Sequence, residues 1–581
     1  VPSHDGPKTL YASHVLAHLR EAAFAGDFTS GGAITSAGFS WLFGLLEVAL
    51  GWRIGYALAV AIVVTSIPVG VLLIARALDS RRAPVALVAV AAMYPWAAHM
   101  GFVNYVASLG LGLITVGIGL AHARWSLRRE LAVYALFSLT TFFHPLGAQL
   151  AMLAIGMFRL LGTDRARVVR EMGAMFLACV PMVAVTLVVR DELVEEAVFH
   201  PNSVVWQLTG AERFETLGRW FLSGPLYRSG FVGAVAAIGI AGATGVLLGR
   251  RLDRRVVALF AIIVPCAFAT ATFPMHGLDW QFFQPRFIAP MMLVGLALVP
   301  FERLSPRLQP LLAGVFFVHA IASNAWVAVH HARFFRQHRA AFASLALPPV
   351  AQGRTMLPIV GLPETGQHAQ RANHDVPGSS YLYNLGQLYG VARDAVVPYT
   401  FSAVRRLHVI HDASARMPHV PARDYALAFE ADADPTRHAY ELGRLASYGL
   451  LFDDVLFYGR EVDAAALVAF GFETEARDEG FFVGHFVGCE RSISLDGVAP
   501  DEGAAIAIAF GTSARVAASA VADRGRMHIP RLPCGLVGVR AAATLGGSPL
   551  RCQGADDRGF LRVPPVAAIR CTLELAPPTL R

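Results

Sequence analysis

Charge is scarce in this chain. Only 16% of its 581 residues are Asp, Glu, Lys or Arg, and Lys8 is the sole lysine. With 55% hydrophobic residues and a mean hydropathy of +0.50, this composition excludes a soluble globular protein of such length. The missing lysine also removes any Lys-rich tail. The net charge of +7 and pI of about 9.2 come from arginine, much of it in short loops between apolar segments, so nucleic acid is not an implied partner. Cysteine is sparse as well: six residues with no CxxC spacing, which speaks against a zinc-ribbon site. The apolar segments themselves hold almost no ionisable residues, His319 and Asn324 in the last being the polar exceptions. Pumps and ion-coupled transporters usually carry charge there.

What the chain has is a long alternation of apolar segments and short loops between Ile54 and His330. Residues 54–78, 84–99, 105–123, 131–144, 146–162, 172–189, 231–249, 256–273, 286–302 and 308–330 read as about ten transmembrane helices, several of them short for a hydrocarbon core of about 30 Å. Every second loop is rich in arginine: Arg76, Arg81 and Arg82, then Arg124, Arg128 and Arg129, then Arg159, Arg165, Arg167 and Arg170, then Arg250, Arg251, Arg254 and Arg255, and lastly Arg303 and Arg307. Those loops are expected to face the cytoplasm, and the intervening loops and both chain ends to face outward. Ile34–Trp52 is also apolar, but as a span it would invert everything after it. Gly38, Gly44 and Glu47 interrupt it, and it reads as a helix in the interface. The chain begins at Val1 without a signal peptide and enters an outer segment at once, which is expected if a first transmembrane helix is missing or the start is misassigned.

The domain reading is a first outer loop with interfacial helices over residues 1–53, a transmembrane domain over 54–330, an extracytoplasmic α/β domain over 331–487 and a β-rich module over 488–581. In the third part, strand-like runs (Thr355–Val360, Leu407–Ile410, Val455–Tyr458) alternate with helical patterns (Leu382–Val391, Tyr440–Tyr448, Asp463–Phe470). The fourth has short strands between Gly and Pro turns, in the manner of a small sandwich. Cys179 and Cys266 lie within apolar spans and are expected simply to pack. Cys489, Cys534, Cys552 and Cys571 all fall in the last module, an even number in a compartment that permits disulfides, so one or two bridges are expected there.

Under this topology the unusual polar residues collect at the outer ends of different spans: His4 and Asp5, His99 and Asn104, His144, and His276, Asp279, Gln281 and Arg286. Any one of them reads equally well as an interfacial cap. Their convergence on one face favours a site. His14 and His18, at i and i+4 on a predicted amphipathic helix that also carries Leu10, share a face. With Asp5 they are weak candidates for a divalent metal, since no HExxH-type acid lies between them.

The N-terminal run HDGPKTLYASHVLAHL resembles the first extracytoplasmic loop of bacterial integral-membrane glycosyltransferases of the GT-C superfamily. The similar group is a HDGP…LY one, related in plan to protein mannosyltransferases and lipid A aminoarabinose transferases. Gly101–Leu113 (GFVNYVASLGLGL), His144–Gly147 (HPLG), Gln284–Phe287 (QPRF) and the FDDVLFYG run also look like that group, which covers most of the chain to about residue 486. The resemblance implies an α-helical polytopic membrane protein of GT-C type, in the bacterial cytoplasmic membrane, with its C-terminal α/β plus β-rich domain outside. It further implies transfer of a sugar from a polyprenyl-phosphate-linked donor to a lipid or glycan acceptor at the outer surface, with no certain cofactor. Asp5 matches the general base of that loop. Arg286 is the candidate phosphate contact, its planar fork suiting phosphate oxygens, and Lys8 is the alternative. Many relatives have two adjacent acids where this chain has Asp5 followed by Gly6. A transporter or flippase would usually show internal repeats or broken midplane helices, which are not found here. A non-catalytic scaffold would leave the polar rim unexplained.

Overall fold

The computed structural model describes residues 5–30, 37–121, 127–162, 231–248, 253–272, 284–343, 354–361, 384–397, 409–411, 452–459, 472–478 and 481–487, a few isolated positions, and the backbone of strands between 489 and 573. Among the described residues, five segments are helical, long and apolar enough to cross a membrane: Gly38–Leu78, Val103–Leu120, Arg254–Thr272, Gln284–Arg303 and Leu308–Gln337. Glu130–Phe143, Pro145–Leu160 and Phe231–Gly245 are shorter apolar helices beside them. Ile54, Leu58, Ile62 and Val69 on the first, and Leu311, Phe317, Val318, Ile321 and Trp326 on the last, are exposed. These are apolar faces suited to lipid. Apart from Gly173 and Phe176, the segment expected at 172–189 lies outside the described residues.

The first long helix is really two. Gly51 adopts φ 76° and ψ 160°, a conformation open to glycine. The chain folds back there so tightly that a Cβ on Gly55 would lie 2.9 Å from the Glu47 nitrogen. The apolar stretch before the first span is therefore a separate helix, as its Gly and Glu residues implied. It buries Phe39, Phe43 and Glu47 and exposes Trp41, Leu45 and Val48.

Two boundaries differ from the sequence reading. The expected span at 84–99 is a 3-10 turn at Ser80–Val85, a short helix at Ala86–Ala91 and a separate turn of helix at Trp96–His99. Pro95, which precedes Trp96, has no N–H to continue a helix. The last span does not end at His330; the helix runs on to Gln337. Glycines set the spacing inside the bundle: a Cβ on Gly110 would lie 1.8 Å from Ser66 Oγ, and one on Gly117 would lie 2.6 Å from Leu73 Cβ. Small residues let the two backbones approach closely.

The α/β unit is a four-stranded sheet in the order Met356–Gly361, Asp454–Gly459, Phe481–Phe486, Phe472–Asp478, its first pair parallel and the others antiparallel. The helix Leu385–Arg393 packs against it. The predicted strand near Leu407–Ile410 belongs elsewhere: Val409–His411 pairs antiparallel with Phe28–Ser30 of the N-terminal region. The predicted helix at 440–448 lies outside the described residues, as does most of that at 463–470. From Cys489 onward the backbone forms an eight-stranded sheet, the β-rich module its Gly and Pro punctuation predicts.

The N-terminal helix, Gly6–His18, holds these parts together. Ser13 Oγ donates to the Thr9 carbonyl at 2.6 Å and accepts from Ser40 Oγ at 2.8 Å on the helix before the first span. Tyr11 Oη donates to the Ala395 carbonyl at 3.1 Å and accepts from the Val397 N–H at 2.8 Å. Leu10, Tyr11, Ala12, Ser13, His14 and Val15 are all buried, because the helix packs against both the helix that follows it and Leu385–Arg393 of the α/β unit.

Candidate functional site

Asp5 stands just ahead of the N-terminal helix, with Pro7 in the first turn, where its ring-fixed φ suits a helix start. The Asp5 N–H donates to the Met100 carbonyl at 2.8 Å. The next residue, Gly101, has φ 83°, and a Cβ there would lie 2.1 Å from the Gly6 nitrogen. Only glycine fits this contact. On the far side of the same turn the Phe102 ring lies under the Arg286 guanidinium, 4.6 Å from its centroid. Residues 100–102 therefore join the segment bearing Asp5 to the segment bearing Arg286.

Asp5 Oδ1 lies 3.1 Å from Lys8 Nζ, one helical turn on, and both side chains are largely buried. Arg286 is held from three sides: over Phe102, over Tyr105 at 5.8 Å, and through its carbonyl, which accepts from Tyr105 Oη. Nη1 of Arg286 lies 3.4 Å from His144 Nε2. His144 is the N-cap of Pro145–Leu160, and its Nδ1 accepts from the Leu146 N–H at 3.2 Å. That bond puts the ring proton of a neutral His144 on Nε2. Two donors, Arg286 Nη1 and His144 Nε2, then stand side by side, an arrangement suited to an anionic acceptor. Ser108 fixes the histidine from below, donating to the His144 carbonyl at 2.6 Å and accepting from the Gly147 N–H at 3.0 Å. This explains the HPLG run residue by residue: cap, helix start, filler and close-packed glycine.

The structure thus pairs Asp5 with Lys8 and Arg286 with His144, and residues 100–102 connect the two pairs. It assigns other tasks to two predicted residues. Asn104 Oδ1 accepts the Phe39 N–H at 2.8 Å, capping the interfacial helix. His99 is buried and packs against Tyr94 and His331. His4, His276, Asp279 and Gln281 lie outside the described residues. The metal candidates His14 and His18 do not gather with Asp5: at a rise of about 1.5 Å per residue, His14 is about 13 Å along the helix from it. Their acid is Glu47. Burial works against a charge on His14, but hydrogen bonds to Asp394 and Glu47 outweigh it and raise its pKa. Phe102 and Tyr105 were present in the GFVNYVASLGLGL run without being marked as site residues. An aromatic pair at i and i+3 before a buried arginine was the only available signal.

No protein-family profile matches the chain, and no curated protein does either. Three solved structures are distantly similar. Against the crystal structure of ArnT from Cupriavidus metallidurans in the apo state the identity is 16% and the TM-score 0.43, covering 83% of this chain and 93% of that one. The same protein bound to undecaprenyl phosphate gives 15% and 0.44, covering 83% and 94%. The Archaeoglobus fulgidus oligosaccharyltransferase in the apo form gives 11% and 0.42, covering 94% of each chain. The chemistry of the site rests on its own side chains.

Proposed function

We propose that the protein is a membrane glycosyltransferase of GT-C type that moves a sugar from a polyprenyl-phosphate-linked donor to a lipid or glycan acceptor on the extracytoplasmic face. The observation that supports this reading is the three-residue turn 100–102, which links the segment bearing Asp5 to Arg286, a guanidinium paired with His144. In the reaction the acceptor oxygen attacks the anomeric carbon and the bond from that carbon to the phosphate oxygen breaks. The electron pair leaves with the polyprenyl phosphate, and the acceptor proton passes to the Asp5 carboxylate. Arg286 and His144 hydrogen-bond the phosphate as its charge develops. Lys8 holds Asp5 in place and adds positive charge at the same locus.

The bundle end that carries Asp5 would face outward, as the arginine loops at the opposite end imply; alkaline phosphatase fused after Arg581 is then active. The decisive test is transfer of labelled sugar from a polyprenyl-phosphate donor by purified protein in lipid. Asp5→Asn keeps size and polarity but removes basicity, so turnover falls by about 10² to 10⁴ while donor binding persists. Turnover like that of the unaltered protein would eliminate Asp5 as the base.

A further inference from the structure

We infer that His14, His18 and Glu47 form a binding site for a divalent transition metal of zinc type, which clamps the N-terminal helix to the interfacial helix. This inference is independent of the glycosyltransferase reading. One ligand atom from each of the three residues can be chosen so that all lie within 4.8 Å of one another. The two rings are neighbours, 4.6 Å between centroids, as expected for i and i+4 on one helix face. Glu47 comes from the other helix and reaches between them. Its Oε1 is 2.7 Å from His14 Nδ1, and its Oε2 is 3.7 Å from His18 Nε2.

The second contact is informative because it is too long for a hydrogen bond. Glu47 Oε2 and His18 Nε2 are buried, and neither atom has a hydrogen-bond partner among the described residues. Two ligands of one tetrahedral zinc at about 2.0–2.1 Å from the metal stand about 3.3 Å apart, so a few tenths of an ångström of closure would let one ion satisfy both. A carboxylate buried in an otherwise apolar segment is costly unless it is matched, and a metal supplies that match.

The outer nitrogens of both rings complete the pattern. His14 turns Nε2 to Asp394 at 2.9 Å, and His18 turns Nδ1 to Glu21 at 2.6 Å. Each imidazole therefore presents one nitrogen toward Glu47 and is oriented from behind by a second carboxylate, the arrangement that steers and strengthens metal-bound histidines. Two imidazoles and a carboxylate suit zinc, and a water would complete the tetrahedron. Binding displaces the protons shared between the rings and Glu47, which pass to solvent. Because Asp394 ends the helix Leu385–Arg393, the same site braces the α/β unit. The ion would lie about 13 Å along the helix from Asp5, so its task is to position rather than to react.

The test is metal binding by the full-length protein in lipid nanodiscs after stripping with EDTA. Zinc is added against a chromophoric chelator, bound metal is counted by mass spectrometry, and cobalt replaces zinc for visible spectroscopy. The expected result is one tightly held equivalent, visible bands of four-coordinate cobalt, and a thermal midpoint raised by zinc. All three should disappear in His18→Ala and Glu47→Gln. Glu21 is exposed, so Glu21→Gln should leave the fold unaltered and weaken zinc binding by about 10- to 100-fold. No bound equivalent in the unaltered protein, affinity unchanged in Glu21→Gln, or an equivalent that survives both ligand substitutions would overturn the site and leave a hydrogen-bonded His and carboxylate cluster.

Discussion

Gly101 and Gly6 touch backbone to backbone: a Cβ on Gly101 would lie 2.1 Å from the Gly6 nitrogen and 2.7 Å from the Asp5 carbonyl carbon. This contact sets the position of the proposed base, and it can be separated from backbone strain alone. Gly26 also has positive φ, 95°, but nothing lies within 4 Å of a Cβ built there. Gly26→Ala should therefore cost about 1–2 kcal/mol, the left-handed penalty alone. Gly101→Ala adds a steric overlap with backbone and should cost about 3 kcal/mol or more. Thermal unfolding in detergent reads both, and sugar transfer should fail in Gly101→Ala only. Equal effects of the two substitutions would remove the contact from the argument.

Arg286 lies across Phe102 and Tyr105, so its aim depends on those rings as well as on its charge. Phe102→Leu should lose about 1–2 kcal/mol of cation–π attraction and weaken donor-lipid binding about 5- to 30-fold. Arg286→Lys should weaken it too, because it keeps the charge and loses the fork. Titration of the purified protein with a polyprenyl-phosphate lipid measures both, and tight binding retained in both variants would move the phosphate elsewhere.

At the opposite end of the bundle Arg82 makes a two-pronged pair with Glu302, Nε to Oε2 at 2.7 Å and Nη2 to Oε1 at 2.6 Å. Each side chain is only 12% exposed. Removing one partner strands the other, so Arg82→Met or Glu302→Met alone should destabilise by roughly 2–4 kcal/mol, and the double substitution should recover much of the loss. Unfolding midpoints of the three variants decide this. Additive losses would mean that the two residues act separately.

In the β-rich module the strands Ser548–Cys552 and Ile569–Leu573 run antiparallel with Cys552 opposite Cys571. Directly opposed residues have Cα atoms about 4.5–5.5 Å apart, within the span of a disulfide. A bridge between these two is expected, with Cys489 and Cys534 left as the other pair or as thiols. Alkylation of the denatured, unreduced protein followed by peptide mapping should leave Cys552 and Cys571 unlabelled; labelling of both would exclude the bridge. Removing it should cost the module about 2–5 kcal/mol.

Much of the architecture was determined by sequence alone, because membrane spans and β-rich modules leave local signatures. Apolar length marked the segments that became Val103–Leu120, Arg254–Thr272 and Leu308–Gln337. The Gly and Glu residues between Gly38 and Gly51 marked a helix separate from the span that follows, and the punctuation after Cys489 marked strands. Asp5, His144 and Arg286 could be singled out as unusual polar residues at segment ends. What the tertiary structure decided was which of them meet. Asn104 became a cap and His99 a packed ring, since a side chain's partner may be distant in sequence: Phe39 for one, His331 for the other. Glu47 and Asp394 reached His14 from 33 and 380 residues away. The N-terminal helix was buried in part by a unit that begins some three hundred residues later. Periodicity reports only the environment along a segment. Pairing depends on how separate segments close on each other, and here a single glycine, Gly101, fixes that closure.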